Sequence, residues 1–252
     1  MITHSSYFID QNTIHNTTRF FKNESDYTKS IKPNLSLDDY DLIQIISYSN
    51  SSKIFFTKKL ILVEGPHDEY FYNFYIDILK KNRGIISEDF EILPIGGKNQ
   101  LRKWQEFLDK FRITYYFVGD LDNITEMTTL FPNDKKRELE DKFRSSNHAE
   151  NMISKKKTIR DKEYQIEFIR YIKTVQPDDW KIIEKSIEKN YANNIYILKN
   201  GELDNYLNIK NLNYSKVIDF CKTNSNLPYD DIEIEPKNKI ELCRIFTDIM
   251  SH

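Results

Sequence analysis

Apolar and polar positions change period several times along the chain. Lys59-Leu60-Ile61-Leu62-Val63 is a short apolar run broken by Glu64-Gly65-Pro66, the pattern of a strand buried on both faces of a parallel sheet. From His67 to Lys81 the period becomes helical, with Tyr70, Phe71, Phe74, Ile78 and Leu79 on one face and Pro66 near the first turn, where a missing N–H costs little. Phe90 to Ile95 reads as a second strand closed by Gly96-Gly97. Leu101, Trp104, Phe107 and Leu108 pattern a second helix, and Thr114 to Val118 forms a third strand that runs out at Gly119-Asp120-Leu121-Asp122. Strand and helix in alternation predict an α/β fold with a mainly parallel sheet flanked by helices.

The flanks read differently. Residues 1 to about 35 are polar and form an arm, and Ser36-Leu37-Asp38-Asp39 followed by Leu42, Ile45 and Ile46 predicts a helix over about 37–50. From about Asn123 to Asn190 the pattern is helical and highly charged. Ile195 to Leu198 then predicts a strand, Glu202 to Leu207 a short helix and Lys237 to Met250 a terminal helix. The expected organisation is an N-terminal arm and helix (1–55), a first core segment (56–125), a basic helical insert (126–192) and a core completion with the C-terminal helix (193–252).

Composition narrows the function classes. The chain has 252 residues, 39% hydrophobic, with 16 Tyr and 16 Phe, enough apolar material for a packed core. Lys+Arg 37 against Asp+Glu 39 leaves it nearly neutral, so a grip on nucleic acid has to come from a local patch or from bound metal. Such a patch exists: twelve Lys/Arg face seven Asp/Glu between Lys135 and Lys173, including Lys155-Lys156-Lys157 and Arg160. Cys221 and Cys243 have no CxxC spacing and no nearby His, which excludes a recognisable zinc motif and argues against a disulfide framework. The N-terminus has no secretory pattern and no run approaches the roughly 18 apolar residues of a membrane span, so a cytoplasmic protein without a membrane partner is expected.

The acids carry the chemistry. In open parallel sheets, ligands bind beyond the carboxyl ends of the strands. Glu64 ends the first strand there, and Asp120 and Asp122 end the third, their one-residue gap sending both side chains the same way from an extended backbone. Three converging carboxylates repel one another unless a hard cation neutralises them, and oxygen ligation suits Mg²⁺ or Mn²⁺. Asp68 lies four residues after Glu64, where it either caps the helix or reaches a second ion.

Leu62-Val63-Glu64-Gly65-Pro66-His67-Asp68, the turn Gly96-Gly97-Lys98 and Val118-Gly119-Asp120-Leu121-Asp122 resemble the signature of Toprim domains, a Rossmann-like fold shared by topoisomerases, primases and several nucleases. The closer resemblance is to the OLD (overcoming lysogenisation defect) nucleases, with Ile54 to Lys59 preceding the glutamate strand and Asn200-Gly201-Glu202-Leu203-Asp204 similar to the family's second acidic cluster. It covers roughly 37–125 and 193–250 and leaves the basic insert unmatched. It implies Glu64, Asp120 and Asp122 around one Mg²⁺ or Mn²⁺, with Asp68, Glu202 and Asp204 contributing to a second. It also implies a catalytic lysine near the C-terminus, for which Lys239 is the first candidate and Lys237 the next. Lys98, Lys155, Lys156, Lys157 and Arg160 are the candidate nucleic-acid contacts, and His67 lies beside the motif.

The chain departs from that family in one respect. OLD proteins normally begin with an ABC-type ATPase, yet no G-x-x-x-x-G-K-[ST] occurs here, so either a separate ATPase subunit supplies that function, the expected partner, or the nuclease works without nucleotide. The resemblance implies a metal-dependent endonuclease acting on DNA in antiviral defence. The alternatives are a Toprim ribonuclease cleaving tRNA and a non-catalytic Toprim-derived binding subunit. The full acidic set argues against the last of these.

Overall fold

The structure, a computed structural model, describes residues 9–10, 13–22, 25–35, 45, 54–57, 59–83, 90–125, 127, 131, 133–150 and 162–251. The helix predicted over 37–50, apart from helical and buried Ile45, lies outside the described residues, as do Lys155, Lys156, Lys157 and Arg160. The chain divides into two compact units, residues 1–118 with 211–252, and residues 119–210.

The first unit is built on β3 (Lys59–Val63), every residue of which is buried. It pairs in parallel with β4 (Phe90–Pro94) on one side and with β5 (Tyr115–Gly119) on the other. Within this unit the strand order is β4-β3-β5, while β6 (Ile195–Ile197) belongs to the second unit. Burial on both faces explains why these strands are continuous apolar runs and not alternating ones. α1 (Pro66–Arg83) crosses from β3 to β4 and α2 (Leu101–Lys110) from β4 to β5. α1 buries Phe71, Tyr72, Tyr75, Ile76, Ile78 and Leu79, while Tyr70 and Phe74 are half-buried. The buried stripe is thus rotated from the predicted one, because Tyr72 and Tyr75 pack their rings against Phe246.

Two helices complete this unit, α7 (Tyr214–Asn224) and α8 (Pro236–Ser251). Lys59, buried at the start of β3, donates to the carbonyls of Ile249 and Met250, placing a cation at the negative end of α8. The N-terminal arm contains an antiparallel hairpin, β1 (Arg19–Lys22) with β2 (Thr28–Ile31). Arg19 donates from it to the carbonyls of Phe111 and Arg112 after α2.

In the second unit the described residues of the stretch read as helical include α3 (Asn133–Arg144), α4 (Lys162–Val175) and α5 (Pro177–Asn190). Phe143 and Phe168 pack ring against ring between α3 and α4. The short α6 (Leu203–Leu207) follows β6. Among the described residues no helix is long and apolar enough to cross a membrane.

Candidate functional site

β3 and β5 run side by side with Val63 opposite Val118, so both strands end at the same edge of the sheet, where ligands of parallel sheets bind. The backbone fixes the first acid there. Ile95 N–H donates to Val63 O at 2.8 Å and Gly97 N–H to Glu64 O at 2.8 Å, which carries the β4 pairing beyond the strand to Glu64. Gly97 has φ of 103°, a conformation that favours glycine, and this turn leads directly into Lys98. Glu64 is half-buried.

Asp68, in the first turn of α1, accepts from Gly65 N–H through Oδ2 at 2.9 Å. That is the reach-back bond by which an acid satisfies a donor at a helix start. His67 is half-buried and its ring lies 5.8 Å from that of Tyr214. Near the C-terminus, Lys239 Nζ donates to Asp230 O at 2.8 Å and sits 5.6 Å from the Tyr229 ring, while Lys237 pairs with Glu235 at 3.1 Å on the surface.

The second unit holds the remaining acids. Asp120 follows the last residue of β5, but Leu121–Thr125 is a 3₁₀ turn, so the extended backbone that would send Asp120 and Asp122 the same way is not present. Asp120 is half-buried and Asp122 is buried. The turn is held by Asn123, whose N–H and Nδ2 both donate to Asp120 O, and by Thr125, whose hydroxyl donates to Asp122 O. Sequence reading missed these two residues, although Asn and Thr just after an acidic pair are common side-chain caps of a turn.

Two backbone bonds tie this turn to the second acidic cluster. Leu198 N–H donates to Gly119 O at 2.9 Å and Leu121 N–H to Gly201 O at 3.1 Å. Glu202 stands at the start of α6, its N–H donating to Asn205 Oδ1 at 2.9 Å. Asp122, Glu202 and Asp204 share a cavity of about 290 Å³ with Ile166, Ile169, Arg170 and Lys173 from α4.

Residues 55–122 match the model of the overcoming lysogenization defect protein-like TOPRIM domain. That segment is a Toprim domain of OLD-like type. No curated protein matches the chain. A Toprim domain points to a nuclease-type or metal-binding role, and the matched segment contains Glu64, Asp68, Asp120 and Asp122.

Whether the second acidic cluster fits a metal is tested by its unsatisfied oxygens. Glu202 Oε1 and Asp204 Oδ1 are buried and have no hydrogen-bond partner, an arrangement that costs free energy unless a cation or donor compensates it. Hard carboxylate oxygens of this kind suit Mg²⁺ or Mn²⁺, so these two acids fit a hard cation. Among the described residues, however, no three His, Cys, Asp or Glu side chains are grouped so as to hold a metal ion. The positive charge beside Glu202 is instead Lys162, whose Nζ lies 2.7 Å from Glu202 Oε2. Burial disfavours that ammonium, yet its bond to Glu202 and the fields of Glu202, Asp120 and Asp122 hold its pKa above the ordinary lysine value.

Proposed function

We propose that the chain is a metal-dependent Toprim nuclease that hydrolyses DNA phosphodiester bonds, with Glu64, Asp120 and Asp122 as ligands of one divalent ion and Asp68, Glu202 and Asp204 contributing to a second. One observation carries this reading: the OLD-like Toprim match spans residues 55–122, and within it the β3–β5 register ends both acid-bearing strands at one edge. Two such ions, when bound, would activate a water and stabilise the leaving oxygen of an in-line displacement.

The chain's own residues do the positioning. Gly97 holds the Glu64 carbonyl, and Asn123 with Thr125 holds the turn that carries Asp120 and Asp122. Lys98, on the Gly96-Gly97 turn, and the basic run Lys155-Lys156-Lys157 with Arg160 would meet phosphates, and Lys239 would stabilise charge on the scissile one. A separate ABC-type ATPase in an antiviral system is the proposed partner, by the resemblance to the OLD proteins.

The test is incubation of purified protein with labelled plasmid, single-stranded DNA and tRNA in Mg²⁺, Mn²⁺ or EDTA. Cleavage of DNA that EDTA abolishes is the expected result. Cleavage of tRNA alone would reassign the substrate, and no metal-dependent cleavage of any of the three would overturn the nuclease reading.

A further inference from the structure

We propose that Lys162 supplies a cation to Glu202 from within the chain and competes with a divalent ion for this carboxylate. The contact is direct, with Lys162 Nζ at 2.7 Å from Glu202 Oε2. Helix stability does not explain the lysine's place. Lys162 is the first residue of α4, where the positive end of the helix dipole disfavours a cation, so the position is satisfied by Glu202 and not by its own helix.

The two partners differ in accessibility. The Lys162 side chain is 62% exposed and Glu202 is 18% exposed, so the ammonium can swing into solvent while the carboxylate stays in place. Glu202 Oε1 and Asp204 Oδ1 are buried without hydrogen-bond partners, and the two cations of the cavity lining are engaged elsewhere, Arg170 with Glu167 and Lys173 with the Lys199 carbonyl. Asp120 and Asp122 add their negative fields at Lys162. An ammonium on Glu202 Oε2 and a divalent ion on the neighbouring Oε1 are like charges a carboxylate's width apart, and they repel. Ion binding at Glu202 and Asp204 is therefore weaker while Lys162 stays in place.

This inference rests on the metal role proposed above, and Mn²⁺ binding separates the two. Mn²⁺ titrations followed by EPR would compare the wild type with Lys162→Met, Lys162→Arg and Lys162→Met/Glu202→Gln. Lys162→Met is expected to bind Mn²⁺ about fivefold more tightly, as follows from removing one partly exposed ion pair. Lys162→Arg should match the wild type, and Glu202→Gln should cancel the gain. Equal Mn²⁺ affinity in the wild type and Lys162→Met would overturn the inference while leaving the metal role standing. No Mn²⁺ binding by any variant would overturn the metal role, and the inference with it.

A measurement on the wild type alone covers failure of a variant to fold. Labelling of Lys162 by an amine-reactive ester, read by mass spectrometry, is expected to rise when Mn²⁺ is added. Labelling that stays constant while Mn²⁺ binds would overturn the inference.

Discussion

Gly201 is the residue whose replacement most directly tests the geometry of the second acidic cluster. Its φ is 127°, in the region that side chains rarely adopt, at a cost of roughly 1–3 kcal/mol for any other residue. Space compounds the strain. A Cβ on Gly201 would overlap Asn205 Oδ1 and lie 2.8 Å from Asn205 Cγ and 3.2 Å from its Cβ. Asn205 would have to rotate away, and Glu202 N–H would lose the acceptor it holds at 2.9 Å. Loss of such a helix-start bond costs about 1 kcal/mol. Gly201→Ala is therefore expected to destabilise the protein by about 2–4 kcal/mol, a large fraction of the roughly 5–15 kcal/mol of a folded domain.

Urea denaturation followed by far-UV circular dichroism measures this, and an unchanged dependence on urea would show that only stability has moved. Asn205→Ala sharpens the test, because it removes the clashing side chain together with the bond. In the double variant the two losses should fall short of their sum by about 1 kcal/mol, the coupling expected of residues in contact. Strict additivity, or a Gly201→Ala loss below about 0.5 kcal/mol, would refute the reasoning and with it the placement of Glu202 by Gly201 and Asn205.

Other outcomes follow from the same structure. Glu64→Ala and Asp120→Ala, both at half-buried positions, are expected to lower cleavage by about 10²-fold or more with an unchanged circular dichroism spectrum, and full cleavage by either would remove that residue from the metal set. Replacing Lys155, Lys156 and Lys157 with Glu should flatten the dependence of log affinity for duplex DNA on log salt by about 2–3 units, near 0.9 for each phosphate that is no longer neutralised. Fluorescence anisotropy in Ca²⁺ measures this, and an unaltered slope would take the run out of the DNA footprint. Burial pushes the Cys221 thiol up from 9.0 to about 12, so the native protein should resist alkylation there at pH 8 and react only when unfolded. The folded state keeps that proton where the unfolded state has released it, so this residue's contribution to stability should decline as pH rises above about 9.

The parts of the fold legible in the sequence are those with strong local signals. β3, β4 and β5 are continuous apolar runs ended by Gly, Pro or Asp, and a strand buried on both faces can hardly be written otherwise. The hairpin β1–β2 was not legible, because four-residue strands with mostly exposed side chains leave only Phe20-Phe21 as apolar signal. α7 was also missed, its Tyr214 to Asn224 stretch carrying a diluted apolar stripe. At the site, the acids were legible as residues but their disposition was not. Alternation along a strand predicted the direction of Asp120 and Asp122, and the 3₁₀ turn at Leu121–Thr125 removed the premise. The pairing of Lys162 with Glu202 joins residues forty positions apart, and nothing local in either segment announces it.

Asp68 shows that a capping role and a ligand role need not compete. One reading makes it the acid that stabilises the start of α1, and the bond from Gly65 N–H to its Oδ2 supports that directly. A carboxylate, however, has two oxygens and about four lone-pair sites, so one backbone donor does not exhaust it. The bond also fixes which way the group faces, since Gly65 immediately follows Glu64 at the end of β3. A carboxylate held by the backbone loses little further side-chain freedom on meeting a cation, and lost freedom is among the main costs of assembling a ligand set. The helix start that the sequence needs for folding is in this way the same device that orients Asp68 beside the glutamate strand.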